Sequence, residues 1–258
     1  MSASGTYRLQ ITSAIRLSLA ERANFIAQVG GMLVNNGFIL LMWFMFFAGF
    51  RRVGGWQLAD VALLLGLAMS VVGWANVAAG GYRDLAARIL RGELDALLTQ
   101  PLPVLPRLLA AESLAHGWGD VLTGAVLLAT SAGLRATDLP MLALGLACGL
   151  TVFLSCGILF ASLAFWLRGA RSFTRDLVDF VVLFSMYPGS IWQGPLKLLV
   201  HTLLPAGFIV LMPVRLLREP AWHDALALVA AALVYAALAG WVFQRGLRRY
   251  RRGEAPSA

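Results

Sequence analysis

Charge is scarce in this sequence. Of its 258 residues only 13% are Asp, Glu, Lys or Arg, against roughly 25% in an ordinary soluble domain, and 59% are hydrophobic. The mean hydropathy is +0.76. A water-soluble fold could not hide this much apolar surface, whereas a bilayer is itself the apolar solvent. Lysine is almost missing: Lys197 stands alone between Leu196 and Leu198. A phosphate-cradling loop needs Gly-Lys-Ser/Thr, so the chain has none and ATP hydrolysis by it is excluded. There are two cysteines, Cys148 and Cys156, on one apolar helical run. They stand about 12 Å apart along the axis at 1.5 Å per residue, too far to bridge. His116, His201 and His223 are scattered, so no metal cluster is expected. No Ser or Cys has a base at motif spacing, and no catalytic machinery is expected. Arg8, Arg16, Glu21 and Arg22 interrupt the first 22 residues, so no cleavable signal peptide is expected there.

What is present is a series of apolar runs with basic residues beside them. The formal net charge is +8. No stretch mixes aromatic and basic residues on a polar face, so the excess reads as membrane topology and anionic lipid rather than nucleic-acid binding. In residues 5–22, Tyr7, Ile11, Ile15 and Leu19 make one apolar stripe, with Arg8, Thr12 and Arg16 off it, which predicts an interfacial helix. Spans are expected at about Phe25–Phe50, Leu58–Tyr82, Leu108–Ala132, Leu139–Leu167, up to Tyr187, and Ala221–Phe243. The expected architecture is an all-α integral membrane protein, a single transmembrane domain of six helices. Trp43, Trp56, Trp192 and Trp222 fall near span ends, as an interfacial belt would.

Two segments break the pattern. Residues 83–107 are the most polar internal stretch. Leu85, Ile89, Leu94 and Leu97/Leu98 recur at helical spacing while Arg88, Arg91 and Asp95 fall elsewhere, until Pro101, Pro103 and Pro106 stop the helix. This predicts a short amphipathic helix with charges able to meet a partner, followed by a rigid elbow. Residues 188–213 carry Pro188, Gly189, Gly194, Pro195, Pro205 and Pro213, which predicts broken helices that dip into the membrane and return. If the N-terminus is inside, fifteen of the 21 basic residues lie on inner segments, including Arg245–Arg252 in the tail 244–258. Only Arg51, Arg52, Arg135, Lys197, Arg215 and Arg218 lie outside. Both termini are therefore expected in the cytoplasm.

The order of these parts carries a resemblance. An interfacial helix and two spans precede a helix reading Arg91-Gly92-Glu93-Leu94-Asp95-Ala96-Leu97-Leu98-Thr99-Gln100-Pro101-Leu102-Pro103. A late segment reads Tyr187-Pro188-Gly189-Ser190-Ile191-Trp192-Gln193-Gly194-Pro195. Over nearly its whole length the chain resembles the permease subunit of an ABC-2-type transporter, in the branch of ABC-2 family proteins paired with a separate ATPase. The resemblance implies a bacterial inner or plasma membrane, a second permease chain (itself or a homologue) and two ATPase subunits docked below. It implies that Arg88, Arg91, Glu93, Leu94, Asp95, Leu97 and Leu98 form the coupling helix in the ATPase groove. ATP and Mg would bind the partner and none would bind here. Export is implied, with Pro188, Gly189, Trp192, Gly194 and Pro195 in an outer re-entrant gate.

One feature stands apart from the family. Glu112, His116 and Asp120 are spaced by four and would share a face of the third span, with Asp120 about 20 Å past Arg107. Ionisable groups at that depth are costly and often functional. They would bind a cationic cargo, relay protons, or pair with neighbouring helices. Asn35, Asn36 and Asn76 are weaker pathway candidates that interhelical hydrogen bonding also explains, and Gly145 and Gly149 predict close helix packing. The acidic row keeps two other readings open: an ion- or proton-coupled secondary transporter, and an integral-membrane enzyme acting on lipid.

Overall fold

The computed structural model describes residues 3–50, 52, 54–131, 134–167 and 170–254. Arg51 of the expected outer turn, Ala132 at the expected end of the third span, Arg168 of the expected basic loop and residues 255–258 of the tail lie outside the described residues. All regular elements among the described residues are helical. Helix α1 (Ala3–Ala20) turns Tyr7, Ile11 and Ile15 toward the protein, and the Tyr7 hydroxyl donates to the Ala78 carbonyl at 2.6 Å. A bend at Glu21 leads into α2 (Arg22–Gly49).

Four helical stretches are long and apolar enough to cross a membrane: Arg22–Gly49, Leu58–Leu90, Ala136–Phe165 and Trp222–Arg251. They contain α2, α3 (Leu58–Ala79), α8 (Leu139–Ser162) and α12 (Trp222–Arg251). The expected span Leu108–Ala132 is not one helix. Between α6 (Val104–Leu109) and α7 (His116–Thr130) the chain at 110–115 is irregular. The cause is tertiary. A Cβ on Gly80 would lie 2.8 Å from the Glu112 carbonyl oxygen, and one on Gly81 would collide with that of Leu108. The two backbones therefore touch, and the Leu114 N–H donates to the Asn76 carbonyl at 3.0 Å in place of a helical acceptor. The 15 residues of α7 rise about 22 Å, and the 16 of α9 (Ala170–Ser185) about 24 Å, both short of a hydrocarbon core of about 30 Å.

Helix α3 is the axis of the bundle, buried among α2, α7, α8 and α9. Lipid tails are as apolar as leucine, so helices within the bilayer associate through close packing and hydrogen bonds, which small residues permit. A Cβ on Gly73 would stand 2.7 Å from the Val121 nitrogen, and one on Gly117 would stand 2.7 Å from the Asn76 Cβ. Gly145 and Gly149 also serve close packing: they admit Pro213 and the Ile209 carbonyl, where a Cβ would approach to 3.1 and 2.6 Å.

After α9 the chain turns at Pro188–Gly189 and forms α10 (Pro195–His201), entered through Gly194 at φ +56. It reverses over 202–205, then passes through a π-helical turn, Gly207–Leu211, into α11 (Met212–Arg218). The breakers thus divide residues 189–218 into short helices. Arg218, the last residue of α11, pairs with Asp60 and lies 4.8 Å over the Trp56 ring, which ties α11 to the start of α3.

There are two main cores. One fills the bundle around Leu64, Val71, Val152, Phe153, Val210 and Leu228. The other lies at the opposite end, where Leu85, Ile89, Leu94, Leu108, Phe165, Phe243 and Leu247 converge.

Candidate coupling surface and inner cavity

The second core is built from the segment that the sequence marked as a docking element. That segment is two helices rather than one, α4 (Leu85–Leu90) and α5 (Leu94–Leu98). Gly92, at φ +75, makes the break between them. Leu85 and Leu94 are fully buried and Ile89 nearly so, against Phe165, Phe243 and Leu247. Leu94 therefore has no surface to offer a partner, contrary to its expected place in the docking face. Leu97 and Leu98 are half-buried. The open side of the segment is Arg91, Glu93, Asp95, Ala96, Thr99 and Gln100. Buried Arg107 donates to the Leu97 carbonyl at 3.2 Å and holds the end of α5.

The charges of this segment are tied internally. Arg88 pairs with Glu112 and Glu93, and Arg91 pairs with Glu93 at 2.6 Å and Asp84 at 2.9 Å. The hydrogen bonds to Asp84 and Glu93 raise the Arg91 guanidinium above its ordinary pKa, so it stays charged. Asp84 also accepts from Arg175 of α9 at 2.8 Å, and Arg83 faces Asp179 at 3.6 Å. These pairs clamp α9 to the chain just before α4.

Behind the clamp lies a cavity of about 540 Å³. Arg83, Asp84, Glu112, His116, Arg175 and Asp179 supply charge of both signs, while Ala86, Leu114, Ala161 and Val178 supply apolar wall. Such a lining suits a molecule with polar and apolar parts. Asn76 forms its inner support, accepting from the Tyr82 hydroxyl at 3.0 Å and from Arg83 at 3.1 Å. Among the described residues no group of three or more His, Cys, Asp or Glu could hold a metal ion.

The acidic row does not survive as a row. Glu112 lies in the irregular stretch before α7 and turns to Arg88, because the break at 110–115 removes it from the helix of His116 and Asp120. His116 lines the cavity. Asp120 is buried and accepts from the Asn36 amide of α2 at 2.9 Å, with its second oxygen unpartnered. Asn36 thus joins two helices, while Asn35 points outward from α2 and lies off the cavity. In the expected gate, Pro188 is buried, Gly189 borders Leu211, and Trp192 packs on Phe184 with ring centres 4.7 Å apart. Gly194 and Pro195 are exposed.

Tyr82, Arg83, Asp84, Arg175 and Asp179 escape the sequence reading. The one hint is that Arg83 and Asp84 directly follow a long apolar run. Their partners on α9 have no signature, because the pairing is across the fold.

No curated protein and no solved structure matches the chain. Residues 33–253 do match a family, described as ABC-2 family transporter protein. That match takes in most of the first long apolar helix, the other three, the segment 83–107 and the broken helices, and the chain belongs to this family, as a multi-pass membrane permease of an ABC transporter.

Proposed function

We propose that this chain is the membrane half of an ATP-driven exporter whose ATPase is a separate subunit docked on the exposed side of α5. The family works with an ATPase, and this chain has no phosphate loop of its own. In this reading α6–α7 and α9 complete six crossings, both termini are cytoplasmic in a bacterial inner membrane, and α10–α11 form the outer re-entrant gate. A second permease chain completes the pathway, and no cofactor binds this one. The carrying observation is the construction of the inner core. It fuses α4 and α5 to the ends of α8 and α12 while leaving Asp95, Ala96, Thr99 and Gln100 open. A push on that face moves packed helices as a body, which is how closure of ATPase subunits switches a pore. Cargo with apolar and charged parts enters the 540 Å³ cavity from the cytoplasm, once the Arg175–Asp84 and Arg83–Asp179 pairs part.

The ion-coupled alternative rested on Glu112, His116 and Asp120 sharing one face. Two of these groups are engaged by Arg88 and Asn36 on different elements.

The double variant Ala96→Trp with Thr99→Arg tests the docking face. Both positions are exposed, so folding and insertion should be unchanged. Transport-linked ATP hydrolysis in vesicles should fall by roughly tenfold or more, the effect of placing bulk and unpaired charge in an interface. Unchanged coupled hydrolysis contradicts docking on this face.

A further inference from the structure

At the end of α12, Arg245, Arg248, Arg249 and Arg252 are spaced three, one and three apart, so they share one helix face. With Trp166 and Glu254 they line a pocket of about 440 Å³ beside the turn that follows α8. The volume lies within the range of about 300–1,000 Å³ usual for ligand sites. The helix that carries the arginines is held in place. Gly246 presses α12 onto the Phe165 ring, which also meets Phe243 at 5.6 Å and Tyr250 at 6.3 Å.

The charge in this pocket is unbalanced. No ion pair among the described residues involves any of the four arginines. Arg249 donates to the Glu254 main-chain carbonyl at 3.1 Å, not to its carboxylate. Like charges three and four residues apart repel. The Glu254 carboxylate that lines the pocket and the negative end of the helix, about half an elementary charge, together offset less than half of the four positive ones. The remaining positive charge favours an anion there. Arg245 also stacks on Trp241 at 5.4 Å. Tryptophan settles at the membrane–water boundary, so the stripe begins at headgroup depth. Guanidinium forks match phosphate oxygens in pairs.

We propose that this pocket binds a phosphate-bearing anion, supplied by the headgroup of an acidic phospholipid in the adjoining leaflet. The site would tie the inner core, and hence α4 and α5, to lipid composition. This goes beyond the transport reading and does not depend on which partner drives it.

The test uses the full chain in neutral detergent, titrated with dioctanoyl-phosphatidylglycerol, dioctanoyl-phosphatidylcholine or inorganic phosphate at constant ionic strength, with melting temperature as readout. The anionic phosphatidylglycerol should raise the melting temperature and the zwitterionic phosphatidylcholine should not. In Arg245→Gln with Arg249→Gln the half-effect concentration should rise roughly thirtyfold, on the scale of two basic residues at an anionic surface. Arg251→Gln, on the same tail but off the stripe, should respond like the unmodified chain. Equal stabilisation by inorganic phosphate would overturn the lipid assignment in favour of a soluble phosphate compound. Equal loss in the Arg251 variant, or no response of the unmodified chain, would overturn the site itself.

Discussion

Gly81→Val should leave almost no folded protein. The glycine belongs to the short turn, Gly80–Tyr82, that ends α3, and the backbone of Leu108–Leu109 runs directly across it. A Cβ there meets the Leu108 carbonyl oxygen and, at 3.1 Å, that of Leu109. Both are backbone atoms, so no rotamer change can make room, and the crossing must open. Opening it moves α6 and releases the Leu114–Asn76 bond that steadies the break before α7. Overpacking of this kind costs about 1–3 kcal/mol where side chains can yield, and more where backbone must move. Size-exclusion profiles of the detergent-solubilised variant should show aggregate in place of the monodisperse peak. A variant that melts within a few degrees of the original would show that the crossing is looser than described.

Leu94→Asp should act differently, separating the two cores. Leu94 is fully buried, and in the proposed topology its core sits where the chain leaves the bilayer, so the alternative environment for this side chain is water. Burial there carries the full hydrophobic effect, about 1.5–3 kcal/mol for a leucine. Within the lipid the same burial gains little. A carboxylate in that place must either be buried without a partner or pull α5 out into solvent. The second outcome is expected, because the bundle core around Leu64, Val152 and Val210 shares no fully buried residue with this one, and half-buried Leu109 is the point where the two meet. Trypsin should then cut at Arg88 or Arg107, which the intact chain holds half-buried in ion pairs and buried, respectively, while the bundle survives in detergent. Coupled transport should be lost. Resistance to trypsin equal to the unmodified chain would show that Leu94 does not anchor the segment.

The contrast between these positions also explains what the sequence made legible. The helices at 22–49, 58–79, 139–162 and 222–251 could be read because long apolar runs have no other stable form in a bilayer. The breaks around Gly194 and Pro195 could be read because the breakers are local. The break at 110–115 could not: its residues, Ala-Ala-Glu-Ser-Leu-Ala, contain no Gly or Pro. It is imposed by Gly80 and Gly81, some thirty residues earlier. That one hidden break undid the Glu112–His116–Asp120 face, since spacing by four means proximity only on a continuous helix. The docking segment was found by its amphipathic pattern, which also marks its charged side as the open one, but the pattern alone does not say which residues the fold takes inward. Leu94 packs inward on Phe165 and Leu247, and Arg88 is drawn to Glu112, leaving the smaller and polar side chains outside. The cavity was invisible because its charges pair between α9 and the loop after α3, about ninety residues apart.

The claim at the centre is that the exposed side of α5 receives an ATPase. A photo-activated cross-linking residue at position 96, in the full chain in its native membrane, tests it most directly. The account predicts a cross-linked product that contains a protein with a Gly-Lys-Ser/Thr phosphate loop, and none from the same probe at exposed Leu226 on the membrane stretch of α12. Absence of such a product from position 96, in membranes where other transporter complexes cross-link intact, would contradict it.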